Sequence, residues 1–223
     1  MNISIIIPVL NESDNIVGLL SSLSALRTAG HEVLVVDGGS TDRTRLLARP
    51  LCDQVITSPK GRAVQMNAGV RQATGDMLWF LHADSRLSTK TLEAVPSLFR
   101  KNLWGRFEVC LSGRRSAYRV IGRMMNLRSR LTGVATGDQA IFVERNLFWS
   151  VEGYPEIPLM EDIALSSRLR KKVRPAIIGR RVQTSSRRWE QNGLLATVLL
   201  MWRLRLQYFL GTNPRLLVKK YYN

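Results

Sequence analysis

The sequence predicts an α/β fold, a mostly parallel central sheet with helices on both faces and an amphipathic helix near the C-terminus. Two features of the N-terminal half predict it. Short apolar runs alternate with stripes of 3.6-residue period and helical length between residues 3 and 101. The runs are apolar throughout, as expected of strands buried on both faces. No GxGxxG follows the first run, which argues against a dinucleotide-binding fold.

The elements follow in order. Ile3 to Leu10 reads as a first central strand, ending in Pro8-Val9-Leu10-Asn11-Glu12. Ser13 can cap a helix carrying Ile16, Leu19, Leu20, Leu23 and Leu26, which stops near Gly30. Glu32 to Asp37 is a second buried strand, broken by Gly38-Gly39-Ser40-Thr41-Asp42, whose small residues allow a tight turn. Gln54 to Thr57 is a short third strand. Lys60-Gly61-Arg62 opens a helix with Val64, Ala68 and Val70, ending at Gly75. The run Met77 to Leu81 is the strand that organises the rest, because it delivers His82 and Asp84 where it stops. Ligands collect at the carboxyl ends of such strands. A carboxylate one residue from an imidazole is where a divalent cation and a phosphate can meet. The alternative is a solvated turn whose Asp caps the next helix.

A helix is expected from Ser88 to about Lys101, strands at Arg106–Leu111 and Gln139–Val143, and a loop at Gly153–Pro158, where two prolines exclude regular helix. Arginine crowds residues 113–130, with apolar residues interspersed. Two stripes share residues 194–210: Leu195, Leu199, Trp202, Leu206 and Phe209 on one side, Leu200, Leu204 and Tyr208 on the other, with Arg203 and Arg205 between. The arginines and the short run exclude a transmembrane span. An interfacial helix on anionic lipid, a homodimer contact and plain core packing remain open. The chain divides into residues 1–190, a catalytic domain, and 191–223, an amphipathic helix with a basic tail.

Charge is uneven. Of a formal +16, residues 1–110 supply 12 basic and 10 acidic side chains, and residues 111–223 supply 21 and 7. Such a field favours nucleic acid, anionic lipid or phosphorylated substrates. Cys52 and Cys110 form no CxxC, which argues against a disulfide framework or zinc site and fits a reducing cytosol. The N-terminus reads as a strand, with no signal-peptide pattern. The expected location is cytoplasmic, with a peripheral place on the inner face of the plasma membrane open.

Acids fall after candidate strands or loops at Asp37, Asp84 and Glu161-Asp162. Asp162 shares a helical face with Leu165, Ser166 and Leu169, the face expected to turn inward. A carboxylate aimed inward needs a partner or a catalytic role; the alternative is a helix cap. Arg62, Arg187 and Arg188 match phosphate oxygens through the guanidinium fork, or form a solvated basic surface. Trp189 can stack on a sugar or base, or pack on the core.

Together these residues resemble the family-2 glycosyltransferases, of the nucleotide-diphospho-sugar transferase (GT-A-like) fold. The matching segments are Ile5-Ile6-Ile7-Pro8 with Asn11-Glu12, Val36 to Asp42, Gly61-Arg62 with Asn67-Ala68-Gly69, Gly75-Asp76 with His82-Ala83-Asp84, and Met160-Glu161-Asp162 with Leu165. Ser185 to Glu190 and Tyr208 to Gly211 look like a compact bacterial subgroup of that family.

The resemblance implies a nucleotide-diphospho-sugar donor, a UDP-sugar foremost, and an inverting transfer to an unidentified hydroxyl acceptor; the basic C-terminal half leaves a lipid-linked or phosphorylated acceptor open. Pro8, Asn11, Glu12 and Asp37 would hold the nucleoside, with Gly39, Gly61, Asn67 and Ala83 in the same donor-binding motifs. Asp84 would hold Mg2+ or Mn2+, and Asp162, beside Glu161, would be the general base. His82 departs from the usual acid-x-acid metal motif; a neutral imidazole can ligate a metal or donate to phosphate without supplying the negative charge. Two other readings are a basic nucleic-acid binder without catalysis, disfavoured by the acids and by the lack of a known nucleic-acid motif, and a nucleotidyltransferase of related fold.

Overall fold

Isoleucine, valine and leucine fill both faces of the N-terminal strands, and the chain builds its layers around them. In this computed structural model, residues 1–113 and 115–222 are described, apart from the side chains of Arg188, Asn192 and Tyr222. Strands β1 (Ile3–Val9), β2 (Glu32–Asp37), β3 (Gln54–Thr57), β4 (Met77–Phe80), β5 (Arg86–Leu87), β6 (Trp104–Leu111), β7 (Phe142–Glu144) and β8 (Ala176–Thr184) form one sheet. Its order is β3-β2-β1-β4-β7-β6-β8-β5. β3, β2, β1 and β4 run parallel, with Ile5 opposite Val33 and Trp79. β7 is antiparallel to both β4 and β6, and β8 returns parallel to β6.

The helices are α1 (Ser13–Ser22), α2 (Ser24–Thr28), α3 (Thr44–Ala48), α4 (Arg62–Gln72), α5 (Thr89–Arg100), α6 (Ser116–Thr132), α7 (Arg145–Trp149), α8 (Glu161–Lys172), α9 (Arg187–Asn192), α10 (Leu194–Phe209) and α11 (Pro214–Tyr222). They cover both faces. Ile3, Ile5, Ile7 and Val9 of β1 join α1, α2 and α5 in one core, while Ile6 joins α4, α7 and α8 in the other. A third, smaller core gathers Val134, Met160 and Ile163 under Leu204 of α10 and Leu217 of α11.

Several local expectations change. The predicted first helix divides at Leu23 into α1 and α2. Ser13 does not cap α1; its N–H donates to Asp42 Oδ2 at 3.1 Å instead. The inward face of α4 is Ala63, Met66 and Val70, with Val64 and Ala68 half-buried. The arginine-crowded segment becomes α6, and β8, nine residues long, was not foreseen.

Candidate active site

The site lies along the carboxyl edge of the parallel strands, where the chain steps from β1 outward in both directions. An open α/β sheet leaves a crevice there. β2 delivers Asp37, fully buried, whose carboxylate accepts the N–H groups of Gly39 (3.1 Å) and Ser40 (3.1 and 3.2 Å). Gly39 has φ +95°, a conformation that glycine tolerates and a side chain strains. Behind the turn, Gln65 Nε2 donates to the carbonyls of Val9 and Val36, both at 2.8 Å, pinning the ends of β1 and β2 to α4.

Asn11 follows β1 with φ +54°. Its Oδ1 accepts Thr41 N–H at 2.9 Å, so the β1 and β2 loops are tied together. Glu12 Oε2 accepts from Asn15 Nδ2 at 2.7 Å and lies 3.9 Å from Arg187 Nη2. α9 therefore reaches back to the β1 loop.

β4 ends with His82, Ala83 and Asp84. Ala83 is buried, while Asp84 is half-buried with no hydrogen bond or ion pair among the described residues. Because β7 runs antiparallel to β4, the loop entering β7 arrives at this same edge. That loop brings Asp138, whose Oδ1 sits 3.5 Å from His82 Nδ1. Gly137 fits against the other side of the imidazole: a Cβ there would lie 2.6 Å from His82 Nε2. Burial opposes ionisation of Asp138, but His82, Arg62 and Arg205 outweigh it and hold the pKa below the usual range.

α8 starts at this point. Met160, its N-cap, has φ +69°, unusual for a bulky residue and a form of strain that concentrates at functional sites. Asp162 is half-buried; its Oδ2 accepts Gly137 N–H at 2.7 Å and its Oδ1 accepts Ile163 N–H at 2.7 Å. Leu165, Ser166 and Leu169 on its face are fully buried, as their spacing predicts. Glu161 next to it has a side chain only 4% exposed. Burial, then the charge of Asp162, raises the Glu161 pKa. Arg62 Nη1 approaches Glu161 Oε1 at 3.6 Å, an ion contact too long for a hydrogen bond. Partial desolvation works against the charge of Arg62, whose side chain is 48% exposed, yet Glu161, Tyr221, Asp138 and Asp162 keep its pKa above the ordinary value.

Two further arginines enter the same field. Arg128 of α6 has Nε and Nη2 buried with no hydrogen-bond partner among the described residues; burial and then Arg205 push its pKa down to about 10. Burial also lowers Arg205 of α10, against the opposing pull of Asp162 and Asp138.

The structure thus gathers Glu12, Asp37 and Arg187 at the β1–β2 end and Arg62, His82, Glu161 and Asp162 at the β4–α8 end. Pro8 is half-buried on β1, and Gly61 caps α4 with φ +147°. Asn67 serves a different contact: its side chain bonds the backbone N–H and carbonyl of Tyr154 at 3.1 and 2.8 Å, positioning the proline loop. Trp189 is half-buried on α9, and the Arg188 side chain lies outside the described residues. His82, expected as a metal ligand, faces Asp138 and Gly137 with its two ring nitrogens. Among the described residues no three or more His, Cys, Asp or Glu side chains cluster to hold a metal ion. Sequence reasoning missed Asp138, Arg128 and Arg205. The signal for Asp138 was Gly137-Asp138 immediately before a strand, and it needs the strand's direction to be read.

The comparisons agree with this architecture. AglE, a glycosyltransferase of Haloferax volcanii, is 33% identical over 100 residues, covering 41% of this chain and 33% of its own length. The dolichol-phosphate mannosyltransferase of Pyrococcus furiosus is 36% identical over 106 residues, 43% of this chain and 30% of its own. The matches therefore span about a third of those relatives' length. Among solved structures, the Pyrobaculum calidifontis mannosyltransferase PcManGT, in complex with GDP-Man and Mn2+, aligns with TM-score 0.66 at 19% identity, over 92% of this chain and 60% of that one. TarS 1-349 of S. aureus in complex with UDP gives 0.63 at 19%, over 83% and 60%. At such identities the likeness shows the fold. The model of glycosyl transferase family 2 matches residues 4–143, more than half of the sequence, and the chain belongs to that family.

Proposed function

We propose that this chain transfers a sugar from a nucleotide-diphospho-sugar, a UDP-sugar, to a hydroxyl acceptor with inversion at the anomeric carbon. The observation that carries the reading is the placing of Asp162: a half-buried carboxylate, held by Gly137 N–H, at the sheet edge where Asp37 and Asp84 also end. Two solved structures of the same fold, TarS 1-349 and PcManGT, are complexes with UDP and with GDP-Man.

Asp162 takes the proton of the acceptor hydroxyl as that oxygen forms its bond to the anomeric carbon, and the carbon–oxygen bond to the diphosphate breaks on the opposite face. Glu161 beside it is buried against Arg62, whose guanidinium offsets a second negative charge next to this base. Arg62 and Arg187 face the departing diphosphate. Asp37, Pro8, Asn11 and Glu12 form the nucleoside end.

The donor set fits a divalent cation shared with substrate phosphates, because Mg2+ takes one or two carboxylates and completes its shell with phosphate and water. Asp84, uncommitted and half-buried, would hold it, with Mn2+ the equivalent choice. When bound, the cation neutralises charge on the leaving diphosphate.

Melting the protein with a panel of nucleoside diphosphates, with and without Mn2+, tests this reading. UDP with Mn2+ at 100 times its Kd adds about 2.7 kcal/mol, about 5–10 °C for a chain of this size. No shift with any nucleoside diphosphate would overturn it. Products separate the nearest alternative: a nucleotidyltransferase releases pyrophosphate, whereas the proposed reaction releases UDP.

A further inference from the structure

Helix α10 has three faces. Leu204, fully buried, packs with Leu217 of α11 on Val134, Met160 and Ile163, next to the start of α8. Arg205 lies towards Asp162 and Asp138, and Tyr221 of α11 towards Arg62. The outer face presents Leu195, Leu199, Trp202, Leu206 and Phe209, 58–80% exposed. These are the two stripes of the sequence, and only one is covered. Lys220 Nζ donates to Gln207 Oε1 at 3.3 Å, joining the helices into a hairpin.

After Glu190 the chain contains five basic and no acidic side chains. Arg203, Arg215, Lys219 and Lys220 are exposed. Among the described residues no helix is long and apolar enough to cross a membrane. We propose that the outer face of the α10–α11 hairpin docks on the surface of an anionic lipid bilayer. An apolar stripe flanked by cations is the chemistry of an interfacial helix. A second copy fits this face poorly, since each copy would bring the same cations and no acid to meet them.

The docked face sets the bilayer about 10–12 Å, one helix diameter, from the acids at the start of α8. On the glycosyl-transfer reading above, the acceptor is then a lipid-anchored molecule whose hydroxyl is offered at the headgroup level. The docking itself does not depend on that reading.

Co-sedimentation with vesicles is the test, using phosphatidylcholine alone and with about one-third phosphatidylglycerol. The full chain should pellet with the anionic vesicles only, and less as salt rises. The triple variant Leu199→Glu/Trp202→Glu/Leu206→Glu should bind them about tenfold or more weakly, because it places carboxylates on the docking face. These positions are exposed, so its melting temperature and its UDP–Mn2+ shift should match wild type. No binding to anionic vesicles, or equal binding by the variant, overturns the proposal. So does a stable wild-type dimer that the variant dissociates. Vesicle binding without a UDP shift would leave the docking standing and remove the donor reading.

Discussion

Glu161 and Asp162 are neighbours in sequence with opposite surroundings, and the proposed reaction gives them different roles on that ground. Glu161 is sealed between Asp162 and Arg62, whereas Asp162 reaches the crevice. A carboxyl whose pKa is raised on folding contributes stability at low pH and loses it as pH climbs from its ordinary value through the raised one. Burial and Asp162 raise Glu161 above 4.5, so wild-type stability should decline as pH rises from there. Glu161→Gln should flatten the decline and melt about 2–4 °C above wild type at pH 8, with no gain at pH 4. A lower melting temperature for the variant at both pH values would contradict the assignment. Gly137 offers a second test. Its missing side chain leaves room for His82, so Gly137→Ala should displace the imidazole and cost about 1–3 kcal/mol, read by thermal melting. Donor turnover should fall as well, because the same residue's N–H orients Asp162.

At the scale of elements, the site depends on how strand ends are braced and which way strands run. Gln65 ties β1, β2 and α4 through two 2.8 Å bonds. Gln65→Met should cost about 2 kcal/mol, a drop of about 4–8 °C in Tm, by removing both bonds. An unchanged Tm would show that the brace is dispensable. The N-terminal strands were legible because parallel strands buried on both faces leave continuous apolar runs. Asp37, Asp84 and Asp162 could be singled out for the same reason, each following a clear element end or lying on a readable helical face. Asp138 could not be placed, since its loop lies beside His82 only if β7 runs antiparallel to β4, and residues 139–143 carry no mark of direction. β8 escaped notice because Gly179-Arg180-Arg181 interrupts its apolar pattern and most of those positions face solvent. α6 was obscured by its arginines, of which Arg119, Arg123 and Arg130 are exposed while Arg128 turns to the opposite side with two buried nitrogens.

Across the whole molecule, the acidic crevice and the basic C-terminal third are joined by α10 and α11. Leu204 and Leu217 seal the small third core, so removing residues 194–223 would expose Val134, Met160 and Ile163. Losing those two buried leucines alone should cost about 3–6 kcal/mol, read as a lowered midpoint in urea. A truncated chain as stable as the full one would show that the hairpin is an appendage. The two stripes on α10 were readable from spacing, but which one faces inward was not, because both are leucine-rich and only the third core decides between them.

On the proposed reading Asp162 is the base of a sugar transfer. Release of UDP from a panel of UDP-sugars with Mn2+, measured for wild type and for Asp162→Asn, puts that role to the test. Asparagine keeps the shape of the side chain, so UDP should still raise Tm in the variant, while the rate of UDP release falls by about 10²–10⁴-fold. Undiminished release by Asp162→Asn would show that another group, or none, serves as the base.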